Sequence, residues 1–239
     1  GLIGKNIDYS FSKSYFSKKF KEENLNHYTY QNFDLANIDS IKSVLNLENI
    51  SGLNVTTPYK REVIPFLNEI SDSSKKINAV NTIRFEKNGE VTGHNTDIYG
   101  FEKCLTKLSF QLPKKALILG TGGASSAISF VLEKLKINYL FVSRNPAKNQ
   151  IGYEDLDLNL FKNYKLIINS TPVGTFPKVN FNPQIPYQAI NKSHILFDLI
   201  YNPPETLFLK EGKKRGAKIS NGLKMLQYQA EKSWEIWNK

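Results

Sequence analysis

The chain reads as an α/β protein in two domains, and three observations predict it. Apolar runs fit for strands alternate along the whole length with segments of helical periodicity. One such run, residues 116–119, enters the turn Gly120-Thr121-Gly122-Gly123-Ala124-Ser125 and then a helix of small residues. That is how a βαβ unit of a doubly wound, Rossmann-like sheet brings backbone N–H groups and a helix N-terminus up to a pyrophosphate, although an ordinary tight βα turn reads the same way. Finally, 239 residues that are 40% hydrophobic and 23% charged suffice for one large or two modest globular cores.

The elements follow in order. A strand is expected over 2–7, a helix over 12–23, a strand over 28–33 and a helix over 39–45. A strand over 53–55 leads into a helix opening at Pro58. Residues 79–85 and 91–93 flank Lys87-Asn88-Gly89-Glu90, a hairpin signal because both central residues must tolerate positive φ. The amphipathic stretch 98–108 is a linking helix. After the strand over 138–142, the interval up to Tyr164 has room only for a short helix near 154–160. Strands are then expected over 165–169, 194–201 and 217–220. A helix over 223–237 closes the chain, with an apolar stripe through Leu226, Ala230, Trp234 and Trp237. Gln229 sits beside that stripe, where its amide must find partners or cost stability. The expected division is residues 1–97, completed by the closing helix 223–239, and residues 98–222, which include the linking helix 98–109.

Composition narrows the function. No apolar run reaches the ~18 residues that span a bilayer, and no signal peptide is visible. Gly1 is not an initiator Met, so residues are expected to precede it. The single cysteine, Cys104, rules out an intramolecular disulfide, and three scattered histidines make no metal cluster. A reducing, cytoplasmic setting is the expectation. The net charge of +10 is spread along the chain without a nucleic-acid-binding motif, so anionic small molecules are the expected partners, with no nucleic acid and no membrane. The basic cluster 210–218 reads as the solvated end of a surface helix.

Residues just past the second strand of the Gly-rich unit carry cofactor information. An NAD-binding unit usually places Asp or Glu there, to accept hydrogen bonds from the ribose 2′-OH. Here Ser143-Arg144-Asn145 stands instead, with Lys148 close behind. A guanidinium can hold a 2′-phosphate that a carboxylate would repel, so the cofactor reading is NADP. A solvated loop arginine is the alternative.

Four polar clusters fall at element junctions in the first part: Ser10-Phe11-Ser12, Asn54-Val55-Thr56-Thr57-Pro58-Tyr59-Lys60, Asn81-Thr82 and Asn95-Thr96-Asp97. Strand ends are where open α/β sheets bind ligands, and these hydroxyls and amides suit a polyhydroxylated substrate. Each cluster has a structural reading too. Ser10 or Ser12 could cap the first helix, Thr57 and Pro58 read as N-cap and N1, Asp97 as the N-cap of the linking helix, and Asn81 as a strand residue bonding its own turn. Lys60, near N3 of the expected helix, opposes the macrodipole and is a candidate proton donor, with Asp97 as a carboxylate to orient it.

These clusters together resemble the shikimate dehydrogenase family. The likeness continues through Gly120–Ser125, Asn169-Ser170-Thr171-Pro172-Val173-Gly174, Asp198-Leu199-Ile200-Tyr201 and Asn221-Gly222-Leu223-Lys224-Met225-Leu226-Gln227-Tyr228-Gln229-Ala230. The resemblance implies that Lys60 and Asp97 form the catalytic pair. It implies that Ser10, Ser12, Asn54, Thr56, Asn81, Asp97, Tyr201 and Gln229 line the shikimate pocket. Gly120, Thr121, Gly122, Gly123, Ala124 and Ser125 would hold the pyrophosphate of NADP, and Ser143, Arg144, Asn145 and Lys148 its 2′-phosphate. Asn169, Ser170, Thr171, Gly222 and Met225 would lie along the nicotinamide side. Where the family commonly has Pro after the second serine and Asn-Arg-Thr at the phosphate loop, this chain has Lys13 and Ser143-Arg144-Asn145. The implied activity is NADPH-dependent reduction of 3-dehydroshikimate by a monomer or homodimer. The alternatives are a quinate-using relative with relaxed cofactor choice and a non-catalytic NADP-sensing binder.

Overall fold

A computed structural model describes residues 1–8, 10–108 and 111–239. Two six-stranded sheets organise the chain, each in its own unit: Gly1–Thr96 with Gln229–Lys239, and Asp97–Tyr228.

The first unit contains β1 (Leu2–Gly4), α1 (Phe11–Glu22), β2 (Asn32–Asp34), α2 (Ile41–Leu45), β3 (Gly52–Val55), β4 (Glu69–Ile70), α3 (Asp72–Ile77), β5 (Thr82–Phe85) and β6 (Val91–His94). Its strand order is β2-β1-β3-β5-β6-β4. β1 runs parallel to β2 and β3, β5 is antiparallel to β3 and β6, and β4 runs parallel to β6. Alternation along β1 feeds two cores, because successive side chains leave opposite faces. Ile3 joins Ile41, Leu53, Val55, Tyr59, Val63 and Ile83, whereas Leu2 joins Phe16, Phe20, Tyr30 and Ala230.

The second unit contains α4 (Thr96–Thr106), whose first residue belongs to the first unit, and β7 (Lys115–Leu119), α5 (Ser125–Lys134), β8 (Asn138–Ser143), β9 (Gln150–Gly152) and α6 (Leu158–Asn163). β10 (Leu166–Asn169), β11 (Ile195–Asp198), α7 (Leu207–Lys214) and β12 (Lys218–Ser220) follow, and then α8 (Leu223–Trp237), which from Gln229 onward belongs to the first unit. The sheet is entirely parallel in the order β12-β11-β10-β7-β8-β9. Residues 116–119 of β7 are wholly buried, as the two-sided cover of a parallel sheet requires. The winding reverses between β7 and β10, so the Gly-rich turn after β7 lies at the switch point where such sheets take ligands.

Several expected elements are shorter or different. The first strand stops at Gly4 because Asn6 adopts a left-handed conformation and the Asn6 and Ile7 amides donate to the Asp34 carboxylate. No strand covers residues 28–31; Tyr30 is instead drawn into the aromatic core. The helix expected from Pro58 is absent. Residues 57–63 make turns that pass into a short 3₁₀ segment, Ile64–Phe66, since Pro65 has no N–H with which to extend a helix. Residues 79–81 lie outside β5, with the Val80 N–H given to the Lys60 carbonyl at 2.7 Å. β4, α3 and β9 were not foreseen.

Gly52 opens β3 under the Trp237 indole, which donates to the Ile83 carbonyl at 3.0 Å; a Cβ on residue 52 would overlap that ring. Gly52→Ala is therefore expected to cost about 1–3 kcal/mol. Thermal unfolding should show a midpoint lowered by about 2–4 °C for each kcal/mol lost.

Candidate functional site

In the first unit the alternation that sends Leu53 and Val55 into one core turns Asn54 to the opposite face. There it meets polar groups. The Tyr30 hydroxyl donates to Asn54 Oδ1 at 2.7 Å, and Asn54 Nδ2 donates to Ser233 Oγ at 2.9 Å, with Thr82 Oγ1 and the Asn81 carbonyl at 3.3 Å. Asn81 Oδ1 accepts from the Thr96 backbone N–H at 2.7 Å and from the Thr82 hydroxyl at 3.1 Å. The hydroxyls of Thr82, Thr96 and Ser233 bond one another at 2.8–3.2 Å, and Thr96 Oγ1 donates to Gln229 Oε1 at 3.2 Å. All six residues from Asn54 to Ser233 are buried. A network this well satisfied fixes one arrangement of its members.

Around this frame lie the sequence-predicted residues. Ser10 occupies the N-cap position of α1, yet its side chain makes no capping bond; its buried Oγ has no partner among the described residues. The Ser12 hydroxyl bonds the Tyr30 phenol, which burial pushes above its ordinary range. Thr56 follows β3 directly, its methyl close to the α-carbon of Gly4, where a Cβ would stand 2.6 Å away. Lys60 is half-buried in the turn after Thr56. Its carbonyl is tied to Val80, and the neighbouring Tyr59 hydroxyl donates to the Leu35 carbonyl at 2.6 Å. With no helix there, the macrodipole argument for Lys60 does not apply; main-chain ties place it instead. The Val55 N–H donates to the Asn81 carbonyl at 2.8 Å, which sets Asn81 beside the end of β3. Asn54 would have to exchange one of its present partners to reach a ligand.

Asp97 is buried in the first turn of α4, one residue beyond Thr96, so it is not the N-cap. Tyr201 is half-buried, and burial raises its phenol.

In the second unit a cavity of about 840 Å³ opens at the switch point. Gly120 has φ of +98°, and a Cβ there would stand 2.7 Å from the Thr171 methyl, so glycine is required by the fold. Gly122 and Gly123 differ: a Cβ on either would meet nothing within 4 Å. Their bare backbone leaves a cradle beside the N-terminus of α5, whose Ser125 hydroxyl donates to the Gly122 carbonyl at 2.6 Å. Thr121, Ser143, Arg144, Asn145, Ser170 and Thr171 also line the cavity, and no carboxylate does among the described residues. A basic, carboxylate-free cavity with an open glycine cradle fits a phosphorylated dinucleotide.

Other predicted cofactor residues act from behind the wall. The Ser143 hydroxyl accepts from the Asn145 N–H at 3.2 Å, shaping the turn that leaves Arg144 exposed. Asn169 is fully buried: Oδ1 accepts from the Thr171 hydroxyl at 2.6 Å and Nδ2 donates to Asp198 Oδ1 at 3.1 Å. Burial lifts the Asp198 carboxyl to about 6 against three donors, from Thr206, Ile200 and Asn169. Ala124 occupies the N-cap position of α5. Lys148 is exposed on the 145–149 loop, outside the cavity lining. Met225 is buried, and Gly222 passes so close to the Leu199 carbonyl that a Cβ would overlap it. Neither lines the cavity.

Sequence reasoning missed Tyr30 and Ser233 as members of the frame, and it placed Thr82 and Thr96 in polar clusters without counting them as site residues. It also missed Tyr153 and the 181–184 segment as cavity wall. Ser233 carried a signal, lying one helical turn beyond Gln229.

Comparison with known proteins bears on both units. A family model described as the shikimate dehydrogenase substrate binding domain matches residues 2–83. A shikimate dehydrogenase (NADP(+)) of Methanococcus maripaludis strain C6 is 41% identical over 254 residues, covering 99% of this chain and 90% of the relative. One from Clostridium botulinum strain Hall is 38% identical, covering 99% of this chain and 95% of the relative. Among solved structures, shikimate dehydrogenase from Aquifex aeolicus superposes with a TM-score of 0.87 at 33% identity, covering 100% of this chain and 91% of that one. A shikimate dehydrogenase in complex with NADP+ gives 0.86 at 34%, covering 99% and 88%.

The frame and the Ser10 hydroxyl should respond differently to truncation. Ser233→Ala strips Asn54 of its shortest acceptor and is expected to cost about 1–3 kcal/mol. Ser10→Ala removes a hydroxyl with no described partner and should leave the urea midpoint unchanged. A Ser10 variant as unstable as the Ser233 variant would contradict this division.

Proposed function

The chain belongs to the shikimate dehydrogenase family, and from that premise we propose that it interconverts 3-dehydroshikimate and shikimate with NADP(H). The observation that carries this is the likeness to NADP(+)-dependent relatives at 41% identity across 99% of the chain, which takes in both units. NADPH, when bound, supplies the hydride that reduces the substrate ketone.

The chain's own residues would supply the rest. Ser10 and Ser12 are suited to the substrate carboxylate, the first because its hydroxyl has no partner among the described residues to give up. Thr56, Asn81, Gln229 and Tyr201, with Asn54 behind them, would hold the ring hydroxyls. Lys60 would donate a proton to the oxygen that becomes the new alcohol. Asp97 would accept a hydrogen bond from that hydroxyl and orient the ammonium. Proton and hydride together account for the two-electron reduction. Thr121, Gly122, Gly123 and Ala124 would hold the pyrophosphate through backbone N–H groups, in a turn that Gly120 and Ser125 shape by giving their own N–H groups to the Val142 and Gly122 carbonyls. Arg144, with Ser143, Asn145 and Lys148, would hold the 2′-phosphate. Ser170, Thr171, Gly222 and Met225 would flank the nicotinamide, with Asn169 fixing Thr171 from behind.

Initial rates with shikimate and quinate, each with NADP+ and NAD+, test the reading. The pair shikimate and NADP+ should give the highest kcat/KM. Lys60→Ala should lower kcat by about 10²-fold or more while changing the shikimate KM little. Arg144→Ala should raise the KM for NADP+ far more than that for NAD+. A Lys60 variant with normal turnover would remove it from proton transfer, and equal losses for both cofactors would remove Arg144 from the phosphate site. Faster turnover of quinate would make the chain a quinate enzyme.

A further inference from the structure

The two most exposed large apolar side chains among the described residues are Phe176, 63% exposed, and Phe181, 60% exposed, and both lie on the loop that follows β10. Only Phe181 lines the cavity. Its exposure does not come from an untethered backbone. Gly174, with φ of +100°, passes so close that a Cβ there would stand 3.0 Å from the Phe181 carbonyl. On the other side, the Tyr187 hydroxyl donates to the Pro183 carbonyl at 3.0 Å, and Ile185 is buried in the core of the unit. A ring held out into a cavity by fixed backbone on both sides is a contact surface awaiting a flat partner.

We propose that the Phe181 ring is the apolar wall on which the adenine base of the bound dinucleotide stacks. The proposal rests on the NADP reading above and deepens it by assigning the base subsite. Gly120, Gly122, Arg144, Tyr153 and Phe181 all line the one cavity. The base leaves C1′ of the same ribose whose C2′ carries the phosphate, so a phosphate held by Arg144 keeps the base within one ribose width of that guanidinium. The Tyr153 phenol is raised by burial, with the Arg144 charge opposing the rise, so the guanidinium lies within electrostatic reach of this wall. The amides of Asn182 and Gln184, which also line the cavity, match the donor and acceptor edge of a purine. Aromatic faces stack on any base without a reorganisation of charge, and no carboxylate among the described residues lines the cavity to oppose the phosphates.

Calorimetric titration with adenosine 2′,5′-bisphosphate, which carries the base, the 2′-phosphate and the adenosine-side phosphate of the pyrophosphate but no nicotinamide, tests the assignment. Phe181→Ala should weaken binding by about tenfold. Phe181→Tyr, which keeps the ring, should bind as the wild type does. Phe176→Ala, an equally exposed position off the cavity, should do the same. Melting curves confirm that each variant is folded. Unchanged affinity in Phe181→Ala overturns the proposal, as does a loss of equal size in Phe181→Tyr or Phe176→Ala. A wild-type protein that fails to bind this ligand at all overturns the cofactor reading itself, whereas wild-type binding with an indifferent Phe181→Ala overturns only the stacking wall.

Discussion

The hydrogen bonds that gather Asn54, Asn81, Thr82, Thr96, Gln229 and Ser233 into one buried cluster are the constraint on which the first unit depends. Thr96 and Gln229 are the residues at which the chain leaves that unit and returns to it, and Thr96 Oγ1 donates to Gln229 Oε1 at 3.2 Å. The same cluster ties β3, the start of β5 and the final helix together through side chains whose only water-free alternative is to lose their partners. An unpaired amide or hydroxyl at such depth costs more than a paired one gains, so the cluster holds together or fails as a group. What it leaves over is informative. The buried Ser10 hydroxyl has no partner among the described residues, and the Lys60 carbonyl accepts from the Val80 N–H on a turn beside the frame. The interior polar groups supply rigidity to the elements around them.

The second unit divides labour in the same way. Asp198 holds Asn169, Asn169 holds Thr171, and only Thr171 of the three lines the cavity. Ser143 shapes the turn that presents Arg144. The glycines separate likewise. Gly120 has a left-handed backbone pressed against Thr171, and Gly222 lies against the Leu199 carbonyl, so each is explained by the fold. Gly122 and Gly123 have open space where a side chain would project. For these two the fold supplies no such reason, whereas the proposed cofactor site would, since a bare backbone at a helix N-terminus lets an anion approach.

Local signals were legible in the amino-acid sequence, and contacts distant in sequence were not. The Gly120–Ser125 turn is a contiguous pattern, and it opens α5 at Ser125 after β7 as read. The 223–237 helix has four turns of periodicity, enough to fix both its ends. β4, α3 and β9 span two, six and three residues, too few for any period to emerge. Residues 57–63 mislead because Pro58 resembles a helix start, while Pro65 stops the helix before it forms. Asn54 and Asn81 were legible as polar residues at strand ends. That Asn54 would spend its amide on Tyr30 and Ser233, residues 24 and 179 positions away, was not. Phe181 left no mark in the sequence, because an aromatic residue in a loop says nothing of the cavity it faces.

The central claim is that this buried frame, whose threonine and serine members need touch no ligand themselves, sets the affinity of the first unit for its substrate. Titration of shikimate into the wild type and into Thr82→Val, at a temperature where both are fully folded, tests it directly. Valine keeps the shape of Thr82 and removes its bonds to Asn54, Asn81, Thr96 and Ser233. Affinity should fall by about tenfold or more as the displaced Asn81 amide and its neighbours lose their aim. Equal affinity in the two proteins would contradict the claim and leave the cluster with a role in folding alone.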